Sequence, residues 1–303
     1  YCYNIRNMFS FFIGGKSRKR KSKVSKNKKT VKKRKVSKNK TKRKKPKVSK
    51  YYYTRKLSDT SFPYLPITKQ EAVDEFLRMK NCQSLNPKSL IGNKTVDYGT
   101  YRMRVKTKYR GKSWHEQWKN PVRRKKLNEF AARLVVIKKL TPLRAQRDAM
   151  SLQWGTINTM RPAAALDIYR KYNATRVLDF TAGWGTRMVA AIAADIDYIG
   201  IDSNTKLKPG YDKILTALKP FNKSKVKLYF KKAEEVDFSK IGYYDFVFTS
   251  PPYEYLEFYE HMKNYEHTDK VKQPSSANKL KDKKNKSDGF YDDFLIPTIK
   301  SAY

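Results

Sequence analysis

The chain has 303 residues and carries 69 Lys and Arg against 27 Asp and Glu, a formal net charge of +42. That length suits one or two domains with a substantial core, and that charge favours a polyanion as partner, either nucleic acid or an anionic membrane. No run approaches the roughly 18 apolar residues of a spanning helix, and the apolar run from Met8 is too short, with its charges on the wrong side, for a secretion signal. Cys2 and Cys82 are too few and too far apart for a disulfide framework or a zinc site, and His115, His261 and His267 lack ligand spacing with them. An intracellular, soluble protein without a membrane segment or a structural metal is expected.

The first residue is Tyr, so Met8 is the expected start, with residues 1–7 as upstream read-through. From Lys16 to Lys50 there are 21 Lys and Arg and no acid in 35 residues. With those and Arg6 set aside, residues 51–303 still hold 47 basic and 27 acidic side chains. The segment has no aromatic residue and little to bury, so it cannot repay its ordering entropy; residues 1–56 are expected to be a disordered polybasic tail. A counterion-releasing arm on nucleic acid and a nuclear-import signal are equal readings of it. A merely solubilising tail accounts less well for the charge density.

Residues 57–152 read as a helix-rich accessory or recognition region. Thr68 to Lys80 opens on a cap-like Thr and carries Ala72, Val73, Phe76 and Leu77 along one face. Tyr101 to Arg110 alternates without a break, Tyr101, Met103, Val105, Thr107 and Tyr109 against Arg102, Arg104, Lys106, Lys108 and Arg110, which predicts a strand with one basic face. That face could follow phosphates while Trp114 and Trp118 stack on bases. A solvated edge strand with core Trp residues is an equal alternative. Asn120-Pro121 marks a helix start, followed by Leu127, Phe130, Leu134 and Ile137 at helical spacing.

From about Thr159 helices and strands alternate. Pro162 to Tyr172 reads as a helix with Leu166, Tyr169 and Tyr172 on one side; a strand at 176–180, a helix at 186–194, and strands at 197–201, 225–230 and 245–249 follow. This order predicts an α/β fold with a doubly wound, mostly parallel sheet over residues 153–303. The first strand leads into Asp179-Phe-Thr-Ala-Gly-Trp-Gly185 and then a helix, a junction where backbone can approach a ligand and N–H groups face an anion. Asp202 ends the second strand 23 residues after Asp179, placed to accept hydrogen bonds from ribose hydroxyls. Thr249-Ser-Pro-Pro-Tyr253 ends the fourth. Consecutive prolines cannot continue a central strand, so they form a stiff loop at the sheet's carboxyl edge, where ligands of such folds bind.

These two motifs, in this order, resemble the class I S-adenosylmethionine-dependent methyltransferases. Among them they are most similar to the amino-methylating DNA enzymes acting on N6 of adenine or N4 of cytosine, and the Gly-Trp-Gly loop looks like forms from bacteriophages and large DNA viruses. Residues 160–169 resemble the family's helix beside the cofactor's methionine end. The resemblance covers roughly 153–303 and implies S-adenosyl-L-methionine as cofactor. It implies that Asp179, Phe180, Thr181, Gly183, Trp184 and Gly185 cradle the methionine portion, that Asp202 holds the ribose, and that Glu234 or Glu235 sits near the adenine. It further implies that Ser250 and the Pro251 carbonyl orient the target amino group, within a loop completed by Pro252, and that Tyr253 stacks on a flipped base. Catalysis would be positioning and electrostatics in an in-line displacement. Carbon-5 cytosine methylation needs a Cys nucleophile in that loop, which has none. Ser before Pro-Pro is commoner among N4-cytosine enzymes and Asp or Asn among N6-adenine ones, which leaves the base open.

The family's sheet has seven strands, and four can be placed. A Lys-rich loop at about 269–288 precedes a helix from Phe290, with Phe294, Leu295 and Ile299, and the expectation is a truncated reading frame lacking the fifth strand and the final hairpin. Target recognition must then come from residues 57–150, from the missing part or from a partner. DNA is the expected substrate, with RNA as the nearest alternative. A protein glutamine amide, and a non-catalytic packaging protein with a decayed methyltransferase core, are the others. The oligomeric state is left open.

Overall fold

The computed structural model describes residues 56–108, 112–251 and 294–303, which fall within one compact unit spanning residues 48–303. The polybasic tail, all but its last residue, and the Lys-rich loop lie outside the described residues. Helix α1 (Lys69–Lys80) starts as its sequence demands: Thr68 Oγ1 accepts from the Glu71 N–H at 3.1 Å, and the Glu71 carboxylate accepts from the Thr68 N–H at 3.0 Å. This reciprocal cap satisfies two N–H groups that would otherwise be orphaned.

Helix α2 (Asn93–Arg104) overturns the predicted strand at 101–110, as far as that stretch is described. The alternation in sequence was a coincidence of two helical faces. Tyr101 and Val105, four apart, are buried in one cluster, whereas Met103 packs against another. Val96, Thr100 and Tyr101 are buried at helical spacing, and that burial outweighs a two-residue period. Helix α3 (Trp114–Lys119) has a capping box from Ser113 and Glu116. Trp118 is buried, with Nε1 donating to the Thr60 carbonyl at 2.8 Å, so it is a core residue and not a base-stacking platform. Helix α4 (Pro121–Lys138) begins at the expected Asn-Pro signal, Asn120 Oδ1 accepting from the Arg123 N–H at 3.0 Å. Leu127 and Leu134 are buried as expected, but Ile137 is 76% exposed, with no element among the described residues over that end of the face. Helix α5 (Pro142–Trp154) pairs with α4 and closes a cluster around Leu127, Ala131, Ala145 and Met150.

Helix α6 (Pro162–Lys171) leads into the sheet, burying Leu166 and Tyr169 while Tyr172 stays exposed. Strand β1 (Arg176–Asp179), helix α7 (Thr186–Ala193), strand β2 (Asp197–Ile201), helix α8 (Lys208–Leu218), strand β3 (Val226–Tyr229) and strand β4 (Phe246–Val247) follow. All pairings are parallel, in the order β3-β2-β1-β4. Successive side chains take opposite faces. Val177 and Tyr198 join one cluster with α1, α6, α7 and α8, and Leu178, Ile199 and Ile201 join another with Val236, Phe238 and Phe294. The central strands are therefore covered on both faces, as a parallel sheet requires. Helix α9 (Ile296–Ala302) contributes Ala302 to the second face, and Tyr244 Oη donates to its carbonyl at 2.6 Å. Thr298 and Ala302, not the predicted Ile299, form its buried side.

Residues 57–152 and 153–303 share a core: Phe76 and Met79 of α1 and Val96 of α2 sit in the cluster with Leu166, Tyr169 and Ile192. Helix α2 crosses α8 closely, and a Cβ on Gly99 would fall 2.3 Å from the Gly210 carbonyl oxygen. Alanine at a mid-helix glycine gains up to ~1 kcal/mol of propensity, but overpacking against backbone costs about 1–3 kcal/mol and should win. Gly99→Ala is therefore expected to lower the thermal midpoint in a calorimetric or circular-dichroism melt, and an unchanged or raised midpoint would refute the close crossing.

Candidate functional site at the carboxyl edge of the sheet

Strand β1 ends on Asp179, which is fully buried. Its carboxylate accepts two hydrogen bonds from Arg187 at the start of α7, from Nε at 2.6 Å and from Nη2 at 3.1 Å, and a third from Tyr198 Oη of β2 at 2.6 Å. Arg187 also donates to the Thr181 carbonyl, and its own carbonyl accepts from Tyr169 Oη at 3.3 Å. Burial opposes the charge on Arg187, but the Asp179 carboxylate outweighs it and holds the guanidinium charged. Burial, reinforced by the Asp179 charge, pushes the Tyr169 and Tyr198 hydroxyls well up, so they remain neutral donors.

This ion pair fixes the following loop. Gly183 and Gly185 have φ of 62° and 83°, the left-handed region that glycine tolerates. Among the described residues a Cβ on Gly183 would meet only the Thr181 carbonyl oxygen, at 3.7 Å, so none of them crowds the backbone there. From beneath, Tyr211 of α8 lays its ring against Gly185 and donates from Oη to the Gly183 carbonyl at 3.0 Å. Asp202, just past β2, accepts from the Gly183 N–H at 2.6 Å and from the Asn204 N–H at 2.8 Å. Burial pushes its carboxyl up to about 6, against the pull of those two N–H groups. A carboxylate has about four lone-pair sites, and the described residues fill two of those on Asp202.

The second loop meets the first. The Thr181 and Thr249 hydroxyls lie 2.6 Å apart, and Thr181 Oγ1 accepts from the Ser250 N–H at 3.1 Å. Ser250 is exposed beside Pro251. The half-buried Glu234 belongs to the turn Ala233–Glu235 that follows β3. The structure thus brings Thr181, Gly183, Asp202, Thr249 and Ser250 together. Asp179 and Phe180 are buried, Asp179 in the network with Arg187 and Tyr198 and Phe180 in the cluster of Leu178 and Ile199. Trp184 is half-buried against the cluster of α7 and α8. Pro252 and Tyr253 lie outside the described residues.

Sequence reasoning missed Arg187, Tyr198 and Tyr211. The basic residue one step past Thr186 was the available signal for Arg187; the two tyrosines read as ordinary core. Among the described residues no helix is long and apolar enough to cross a membrane, and no group of three His, Cys, Asp or Glu could hold a metal. Comparison with known proteins found no matching family model, curated protein or solved structure.

Removing one partner of a buried ion pair strands the other charge, at a cost of about 3–5 kcal/mol. Arg187→Met should lower the urea midpoint accordingly, and a loss under ~1 kcal/mol would contradict the pair's burial. Asp202 gives a pH signature. Its folded pKa of about 6 lies above the unfolded ~3.9, so the folded state holds the extra proton between those values. The contribution is fully present below about pH 4 and is lost as pH rises through about 6. Urea titrations of the wild type and Asp202→Asn should diverge across this window, the wild type losing stability relative to the variant by up to about 3 kcal/mol. Parallel curves would disprove the upward shift.

Proposed function

We propose that this chain transfers a methyl group from S-adenosyl-L-methionine to an exocyclic amino group of a base in DNA, N6 of adenine or N4 of cytosine. The observation that carries the reading is the hydrogen-bonded meeting of two loops 68 residues apart, through Thr181, Thr249 and the Ser250 N–H. A glycine loop for a nucleoside-bearing cofactor and a Ser-Pro-Pro loop for an amino group are useful to one reaction only when they share an edge.

The site's residues fit the cofactor. The backbone at Gly183, which no described residue crowds, leaves room for a methionine portion, and Asp202 keeps two acceptor sites that the described residues leave unfilled, for ribose hydroxyls. Bound there, the sulfonium supplies an electrophilic methyl group. The chain's own work is orientation. The Ser250 hydroxyl and the Pro251 carbonyl, which has no competing N–H beside it, accept from the amino group and turn its lone pair toward that methyl. The bound cofactor would supply the methyl group and leave as the thioether, while the amino nitrogen held by Ser250 and Pro251 would take the methyl and lose its proton to solvent. The tail supplies sequence-independent grip on phosphates, and its binding should weaken steeply with salt.

Labelled S-adenosylmethionine incubated with unmodified DNA and RNA, followed by nucleoside digestion and mass analysis, tests the reading. Label is expected in N6-methyladenine or N4-methylcytosine, with Ser250→Ala reducing it at least tenfold and Asp202→Ala weakening cofactor binding at least tenfold. Label only in RNA would move the substrate. Absence of label from both polymers, with cofactor bound, would sink the nucleic-acid reading.

A further inference from the structure

Between α2, α3, α5 and the segment 154–161 lies a cavity of about 270 Å³. None of its lining residues belongs to the loops at the carboxyl edge. Arg104, Lys112, Arg147 and Arg161 line it, and among the described residues no carboxylate does. Tyr101, Trp114 and Trp154 supply aromatic surface.

The walls are held in place. Trp114 Nε1 donates to the Gly155 carbonyl at 2.6 Å, tying α3 to the segment that precedes α6. Arg147 donates from Nε to Tyr101 Oη at 3.1 Å, and its guanidinium stands 5.0 Å from that ring's centre. Arg161 is anchored by a 2.9 Å hydrogen bond from Nη1 to the Lys88 carbonyl. Arg104 pairs with Asp97 through Nη2, while its Nη1 is buried with no hydrogen-bond partner among the described residues. A buried donor left without an acceptor costs about 1–3 kcal/mol. Asp97 stands behind Arg104 and the Glu116 carboxylate feels Lys112, but among the described residues the lining itself carries four cations and no carboxylate, and an anion in the cavity would offset that charge.

We propose that this cavity binds one nucleotide, its phosphate held by the guanidinium groups of Arg104, Arg147 and Arg161 and its base against the indoles. Guanidinium forks match phosphate oxygens in pairs, and bases stack on aromatic and guanidinium faces. The volume is near the lower end of small-molecule sites, which span about 300–1,000 Å³, so it takes one nucleotide and not a duplex. A free mononucleotide and one unit of a single strand offer the same chemistry. The proposal uses none of the residues of the methyl-transfer site and does not rest on that reading.

The test is tryptophan fluorescence of the full chain titrated with adenosine monophosphate and, separately, with a short single-stranded oligodeoxyadenylate. Saturable quenching is expected, with affinity lowered at least tenfold by Arg147→Gln and by Arg161→Gln. The second variant changes an exposed side chain, so lost binding there is not lost folding. A response to the monophosphate supports a free nucleotide as ligand; a variant-sensitive response to the oligonucleotide alone supports a strand. No quenching by either, or wild-type affinity in both variants, overturns the proposal. Loss of S-adenosylmethionine binding in the same variants would assign the cavity to that ligand and also overturn it. Failure of the wild type to bind that cofactor, with nucleotide binding intact, would count against the methyl-transfer reading alone.

Discussion

The buried pair of Asp179 and Arg187 is the constraint on which the carboxyl edge depends. It joins the end of β1, the start of α7, the Tyr198 hydroxyl of β2 and the carbonyl of Thr181 in one network. Such a network is worth keeping only when every member is satisfied, because an unpaired charge in that low-dielectric setting costs several kcal/mol. Here Asp179 accepts three side-chain hydrogen bonds and Arg187 donates along its whole edge. The loop from Thr181 to Gly185 therefore leaves the strand in one geometry.

That geometry determines what stands at the edge. Asp202 is tied to the loop through the Gly183 N–H, and the Ser-Pro-Pro loop is tied to it through the two threonine hydroxyls. Tyr211 closes the loop from below, so the segments that leave β1, β2 and β4, three neighbours in the sheet, meet on a braced platform. A parallel sheet places such junctions together wherever adjacent strands end, which is why chemistry gathers there. The basic cavity lies away from this platform, between helices that precede the sheet in the chain. Its arginines are held by Tyr101, Asp97 and the Lys88 carbonyl rather than by the sheet.

Much of this was legible in the residues. The bounds of β2 came out as read, and β1, β3 and α7 within a residue at either end, because short apolar runs between turn signals admit few alternatives. The caps at Thr68 and Asn120 were equally plain, since a capping side chain and its N–H partner are local in sequence. The strand expected at 101–110 went wrong for an instructive reason. A basic residue at every second position mimics a pleated face, yet Tyr101 and Val105 share one side of a helix and Met103 reaches another cluster. Helix α8 was not anticipated, because Lys-Pro-Gly at its start reads as a turn until Gly210 is seen to admit α2.

The sequence by itself determined the alternating βα order, the two glycine- and proline-bearing loops and the surplus of positive charge, because each is a local pattern of residue types. Only the tertiary structure decided which residues carry the edge. Asp179 and Phe180 are buried, and Arg187, Tyr198 and Tyr211 hold the loop without belonging to any motif. The same holds for the cavity of Arg104, Arg147 and Arg161, whose members are scattered over 57 residues of chain. Burial and pairing depend on which distant segments arrive at one place, and that information resides in packing rather than in spacing.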